Sequence, residues 1–406
     1  MSGDASVAGG TVDCRLFDCL QVNLALLADR QHGPGTHLNL GAVLGFRPAE
    51  GPHGLPTVAR STRQQLAETA PRLGLAVLDR RTADGGELLP TPGRYVVADA
   101  FHLPWVPYFG QQHMEHSFLL EPGPAGAGVT VVDGYHNETR WGSARPVQRV
   151  LDHAAMAAAV PGPALAVTFG PGEYVRADEP VHDLADEGEM AGYVAAYAEH
   201  PDRAAALHAL TLETWLLARS RALHVRFLQI RGLLGPDSAE GAAARAHVRA
   251  WESLAEATYL SSRRVERARP VNPRLYGLLA DQLHCDRKLF GALGTMVNAP
   301  SSGAAGPVAG TIVPDLLREH VAVTVAMVLR VDPGALLGGR VLAEVPGFSS
   351  FRVVEIVERL ERGLAVEFAP SDLVPENLHH LDGICRIVQR ALPPGASPRL
   401  TRIGGF

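Results

Sequence analysis

Asp18-Cys19-Leu20-Gln21-Val22-Asn23-Leu24 is the stretch on which the reading of this chain turns. Leu20, Leu24 and Leu27 recur at helical spacing behind Asp18, whose short carboxylate suits an N-cap. The spacing predicts a helix with Cys19 in its first turn, where partial positive charge lowers a thiol pKa from its ordinary value of about 8.5. Two further segments, His116-Ser117-Phe118-Leu119-Leu120 and Val131-Val132-Asp133, read as strands joined by a loop rich in Gly and Pro over 122–128. A bulge-free hairpin pairing Leu120 with Val129 sets His116 directly opposite Asp133, on one face of the ribbon. Cys19, His116 and Asp133 are then the candidate catalytic residues. The histidine activates the thiol, and the aspartate fixes the ring's tautomer. Cys14 is the rival nucleophile, but no helix-start signal follows it directly.

Composition narrows the classes around this candidate. A chain of 406 residues, 46% hydrophobic, is long enough for two or three domains with their own cores. The net charge of -6 and the scattering of arginines among acids argue against nucleic acid as a partner. No run of about 18 apolar residues predicts a membrane span, and the first residues lack the charged-then-apolar pattern of a leader. A cytoplasmic protein is the expectation. Four cysteines, Cys14, Cys19, Cys285 and Cys385, are too few and too dispersed for a disulfide framework. His102, His113 and His116 do not follow helical metal-ligand spacings, so no metal is expected. The segment 123–128 superficially resembles a phosphate loop, but it joins two strands without a following Lys-Ser/Thr and helix, and reads as a turn.

The pattern along the chain is α+β at the start and helical afterwards. Strands are predicted at 95–98, 117–121, 129–132 and 165–169. Helical periodicity dominates 190–293, including leucines from Leu207 to Leu217 and a run over 242–267. Asn298-Ala299-Pro300-Ser301-Ser302-Gly303-Ala304-Ala305-Gly306-Pro307 has the composition of a flexible linker. Beyond it, helices are predicted at 313–329, 350–361 and 378–392. The expected division is a catalytic domain over 1–185, a helical domain over 186–295, a linker over 296–310 and a small helical bundle over 311–395.

Two resemblances attach to these segments. Asp18-Cys19 and its leucine-rich helix, Val97-Ala98-Asp99-Ala100-Phe101-His102-Leu103-Pro104, His116 and Asp133 together resemble the N-terminal domain of the butirosin biosynthesis protein H family, over roughly 13–140. That resemblance implies a papain-like cysteine-protease fold. It also implies a cysteine that moves an aminoacyl group from a carrier-protein thioester to an amine. The family commonly has His where this chain has Asp18, and no glutamine stands six residues before Cys19 as in papain, so only the Cys19 backbone N–H is assigned to an oxyanion hole. At the other end, Pro346-Gly347-Phe348-Ser349-Ser350-Phe351 and the helix after it are similar to the attachment site and recognition helix of acyl carrier proteins, over about 311–393. This implies a four-helix bundle and 4'-phosphopantetheine on Ser350, with Ser349 standing where carriers have aspartate.

The expectation is therefore an acyltransferase of natural-product biosynthesis. Its partners would be an acyl or aminoacyl thioester donor, a small amine or hydroxyl acceptor, a phosphopantetheinyl transferase and a loading enzyme, and a flexible linker would deliver the donor in cis. Two readings stay open beside it. One is a thioesterase or cyclase acting on the carrier-bound acyl group. The other is a non-catalytic carrier or docking scaffold.

Overall fold

The computed structural model describes residues 11–124, 128–293, 315–338, 341–345 and 347–392. The chain is mixed α and β and divides into two compact units, one of residues up to Asp186 with Leu216–Val248, the other of Glu187–Trp215 with residues from Arg249 onward. Among the described residues no helix is long and apolar enough to cross a membrane.

In the first unit, α1 (Gln21–His32) is followed by β1 (Val43–Phe46), the two-residue strands β2 (Ala49–Glu50) and β3 (Pro56–Thr57), and α2 (Thr62–Arg72). Ser61 and Gln64 close a reciprocal capping box on α2, which satisfies two of its otherwise unpaired donors. Then come β4 (Leu75–Ala83), β5 (Arg94–Asp99), β6 (Glu115–Pro122), β7 (Val129–Asp133), β8 (Asn137–Thr139), β9 (Gly142–Ala144), β10 (Val147–Leu151), α3 (His153–Ala159), β11 (Ala164–Pro171) and β12 (Val181–Leu184). Six strands form one antiparallel sheet in the order β10-β7-β6-β5-β11-β4, while β1 and β12 pair in parallel. The four predicted strands are β5, β6, β7 and β11, each longer than its periodicity suggested. β4 gave no alternation to read, because its ladder with β11 slips between Thr168 and Phe169 and its middle residues are exposed.

The β6–β7 hairpin differs from its predicted register. Leu120 pairs with Val131 and Pro122 with Val129, two residues away from the Leu120–Val129 pairing. The turn is tighter than the sequence reading assumed: β6 runs on to Pro122, and Gly123 N–H donates to Gly128 O. Gly128 sits at φ +69°, and a Cβ there would stand 2.1 Å from the Leu151 carbonyl, so only glycine fits. A slip of two residues keeps every side chain on its face. His116 and Asp133 are thus diagonal rather than direct neighbours, still on one side of the sheet.

The second unit holds α4 (Glu187–Ala198), the first part of α5 (Arg203–Ile230), most of α6 (Ala239–Val265), and α7 (Leu275–Leu293). It continues with α8 (Asp315–Leu329), α9 (Pro333–Leu337), α10 (Ser350–Leu364), α11 (Pro375–Leu378) and α12 (Leu381–Ala391). The helix predicted over 378–392 is broken at His380, whose extended backbone forms a bridge with Val341. α8, α10 and α12 pack around Val321, Val325, Leu329, Val354, Val357, Leu360, Ile384 and Val388. The predicted linker 296–310 lies outside the described residues.

This C-terminal bundle is not a body apart from the helices before it. Leu260 of α6 joins its apolar core, and Tyr259 meets Phe351 with ring centroids 4.4 Å apart. Glu361 of α10, 4% exposed, accepts Arg264 Nη1 at 3.0 Å, the Arg269 guanidinium, and the Phe368 N–H at 2.9 Å. Arg264 also donates to the Pro270 carbonyl at 2.7 Å, and His379 pairs with Glu256 at 2.9 Å. Both charges of the central pair are out of water and multiply hydrogen-bonded, the condition under which a buried ion pair is tolerated.

Candidate active site

α1 begins where Asp18 gathers free amides. Its Oδ1 accepts Leu20 N–H at 2.8 Å and Gln21 N–H at 2.7 Å, and its Oδ2 takes Gln65 Nε2 of α2 at 2.6 Å. Cys19 therefore lies in the turn leading into α1, not in the helix's first turn as expected: Leu20 is the N-cap, and Cys19 stands two residues before the first helical residue, at the amide-rich end. Four hydrogen bonds fasten that turn and the start of α1 to the sheet and the residue after it. Tyr95 Oη donates to the Leu20 carbonyl at 2.9 Å, and the Ser117 hydroxyl donates to the Cys19 carbonyl. Asn23 Nδ2 donates to Ser117 O at 2.8 Å, while Asn23 Oδ1 accepts Gly134 N–H at 2.9 Å. A Cβ at Gly134 would meet Leu26 and Val22 within 3 Å, so the glycine lets α1 lie close to the end of β7.

Strand alternation puts Tyr95 and Ser117 on the face that α1 covers, and His116, Phe118 and Asp133 on the other. The thiol lies at the start of β6. Its Sγ is 3.6 Å from the carbonyl of Glu115, the residue before His116.

His116 is fully buried, and its Nε2 donates to Asp133 Oδ2 at 2.7 Å. Asp133 also accepts Trp105 Nε1–H at 3.1 Å and Tyr135 N–H at 2.9 Å. As a carboxylate Asp133 can only accept, so all three bonds run into it and the His116 bond places the ring proton on Nε2. Nδ1 is left buried with no hydrogen-bond partner among the described residues. An orphaned polar atom in a packed interior is costly and calls for a reason. Tyr135 closes one side of the ring edge-on at 5.1 Å, and its hydroxyl pairs with that of Tyr108 at 3.1 Å.

The electrostatics around the cysteine act against a preformed thiolate. Burial pushes the Cys19 thiol well above its ordinary value, and the carboxylates of Asp18 and Asp133 push it further. Arg219, in the part of α5 that belongs to this unit, is the opposing charge. Its guanidinium donates to the carbonyls of Arg15, Phe17 and His136 at 2.6, 2.6 and 2.8 Å, clamping the chain before the cysteine to the chain after Asp133. Cys14 is held as a thiol too, raised to about 11 by burial and by Asp13, and its Sγ turns to the Val12 carbonyl.

Two results follow for the thiols. At pH 8 a small alkylating reagent should modify exposed Cys285 first and buried Cys385 last, read by peptide mass; early labelling of Cys385 would contradict its burial. Cys385 is pushed up to about 12, chiefly by burial, from an ordinary value of 9.0. The folded chain then holds a proton that the unfolded chain releases. The Cys385 contribution to stability should be constant below about pH 9 and be lost above it, with Cys385→Ala removing that part of the slope.

The structure thus brings all three predicted residues to one end of the sheet, with the His116–Asp133 bond made and the thiol on the neighbouring backbone carbonyl. Sequence reasoning missed Trp105, Asn23 and Arg219. Asn23 left a signal, a polar residue four places after Cys19 on an otherwise apolar helix face. Arg219 left none, standing 200 residues from the cysteine. Replacing Trp105 by Phe should leave Asp133 one donor short and cost about 1–3 kcal/mol, measured by urea denaturation; a change near zero would remove Trp105 from the site's support.

Neither a protein-family model nor a curated protein matches this sequence. Among the described residues no group of three His, Cys, Asp or Glu side chains is placed to hold a metal ion.

Proposed function

We propose that the chain is a cysteine-dependent acyltransferase that accepts an acyl or aminoacyl group from a carrier-bound thioester and passes it to an amine or hydroxyl. One observation carries this reading: a buried imidazole, its Nε2 fixed by a carboxylate and its Nδ1 unsatisfied among the described residues, with a half-buried cysteine thiol on the backbone carbonyl of the residue before it. A purely structural histidine at full burial would have both nitrogens bonded. The arrangement agrees with the papain-like resemblance in its order of residues.

Because Cys19 rests as a thiol, His116 acts as general base during attack. The thiol leaves the Glu115 carbonyl for Nδ1, which takes its proton as sulfur bonds to the thioester carbonyl carbon. Collapse of the tetrahedral oxyanion breaks the bond to the donor sulfur, which leaves with the proton from Nδ1. The acyl group is now on Cys19. An amine or hydroxyl then attacks the same carbonyl carbon, gives its proton to Nδ1, and the expelled Cys19 sulfur recovers it. Asp133 keeps Nε2 protonated throughout and stabilises the imidazolium that forms twice.

Ser350 opens α10, a helix of 15 residues, so a phosphodiester on it would meet the free amides and positive end of that helix. Ser349 takes over the cap that aspartate would provide, accepting Arg352 N–H at 3.4 Å. Phosphopantetheine there would supply an acyl-bearing thiol on a long arm. A second arrangement is favoured by the packing of α10 on α6: Phe351 and Glu361 are engaged by Tyr259 and Arg264, as suits a fixed docking element served by a donor on another protein.

Intact mass separates these. Incubation with an acyl N-acetylcysteamine thioester should add one acyl group to the native chain and none to Cys19→Ala. Absence of the adduct on the native chain, with every tested thioester, would defeat the acyltransferase reading. Coenzyme A with a permissive phosphopantetheinyl transferase should add one phosphopantetheine to the native chain but not to Ser350→Ala; no gain moves the donor to another protein.

A further inference from the structure

A cavity of about 410 Å3 lies at the end of β5, walled by Ala98, Asp99, His102 and residues 159–163, with none of Cys19, His116 or Asp133 in its lining. The sheet register ties it to the site. Ala98 is the direct cross-strand partner of His116, and Asp99 that of Glu115, whose carbonyl holds the Cys19 thiol. One wall of the cavity is thus the strand next to the one that carries His116. The size falls in the range of small-ligand pockets.

Its chemistry is uneven. The 159–163 wall is apolar, supplied by Ala159, Val160, Pro161 and Pro163. Opposite stands Asp99, with its side chain 39% exposed. Oδ1 accepts the N–H groups of Phe101 and Met114 at 3.0 and 3.2 Å, and Oδ2 accepts His113 Nδ1 at 2.6 Å. Burial opposes the charge, but these bonds outweigh it and hold the carboxyl below the usual carboxylate range. Phe101 stacks on His113 with centroids 4.2 Å apart and meets His102 edge-on at 5.1 Å, which keeps the polar end in place. An anchored carboxylate facing an apolar wall suits a cation on a compact hydrocarbon body, and His113 is a displaceable neighbour because it is itself 70% exposed.

We propose that this cavity binds the ammonium-bearing end of a small substrate, either the amino group of an aminoacyl donor or that of an amine acceptor, with Asp99 as counter-charge. This rests on the acyltransferase reading for its place in the reaction, but the binding itself does not require turnover.

The test uses the full chain carrying Cys19→Ala, so that nothing is consumed. Calorimetric titration compares β-alanyl-N-acetylcysteamine with its propionyl analogue, and 1,3-diaminopropane with propanol. The ammonium probe of at least one pair should bind tenfold or more tightly than its neutral partner. Preference in the thioester pair assigns the donor, and preference in the amine pair assigns the acceptor. Asp99→Asn should erase the preference. Gly162→Phe should abolish binding without harming the fold, since a Cβ at Gly162 meets nothing within 4 Å and its φ is ordinary. Equal affinity for charged and neutral probes in both pairs, or a preference that survives Asp99→Asn, overturns the proposal. In parallel, the native chain is scored for Cys19 acylation. Selective binding without acylation defeats the reaction reading and keeps the cavity; acylation without selective binding does the reverse.

Discussion

Glu361→Ala should lower the stability of the second unit by about 3–5 kcal/mol, the usual penalty for stranding one member of a buried ion pair. The side chain is 4% exposed and joins Arg264, Arg269 and the Phe368 amide, so alanine leaves the Arg264 guanidinium, 5% exposed, with only the more distant and exposed Glu367 carboxylate at 3.4 Å as counter-charge. The double replacement Arg264→Met with Glu361→Leu should recover most of the loss, because two apolar groups of similar volume need no compensation. Hydrogen exchange of the α10 amides, followed beside urea denaturation, reads the effect where it arises. Rapid exchange in Glu361→Ala and near-native protection in the double variant is the expected pattern. Unchanged protection in Glu361→Ala would mean that apolar packing around Leu260 alone seats the helix.

His116→Ala should slow acylation of Cys19 by about 10²–10⁴-fold, the usual yield of a positioned general base. The factor belongs at the upper end here because burial and two carboxylates hold the Cys19 thiol far above its ordinary value, leaving almost no thiolate to react by itself at neutral pH. The residual rate of His116→Ala should therefore rise with pH through the alkaline range, while the native rate is much less dependent on pH there. Asp133→Asn should fall between the two: the ring keeps its place, but an amide NH2 facing Nε2 favours the wrong tautomer. Single-turnover mass spectrometry of the acyl-enzyme measures all three. A His116→Ala rate equal to the native one would leave the bare Nδ1 without a catalytic meaning.

Much of this architecture was legible because it rests on local rules. Asp18 followed by Leu20, Leu24 and Leu27 announces a helix start, and the short β-branched and apolar runs of β5, β6, β7 and β11 announce strands, which the fold buries on both faces. The α8 and α10 helices were legible from their apolar periodicity. The register of β6 on β7 was not, since it depends on where the turn closes, and that is decided by Gly128 meeting the Leu151 carbonyl of a third strand. The Asp133–His116 bond survived the slip only because two is the period of a strand.

What the sequence by itself determined is the set of candidate residue types and their order: a cysteine at a helix start, a histidine at a strand start, an aspartate at the end of the next strand, and a serine opening a late amphipathic helix. Only the tertiary structure decided which imidazole nitrogen is bonded and which is bare, that the resting cysteine is a thiol turned to Glu115, that Arg219 clamps the loops around it, and that α10 lies against α6. The reason is physical. Helix starts and strand alternation are set by neighbours a few residues apart, whereas burial, the pKa shifts it causes and the satisfaction of polar atoms are set by whatever distant chain excludes the water.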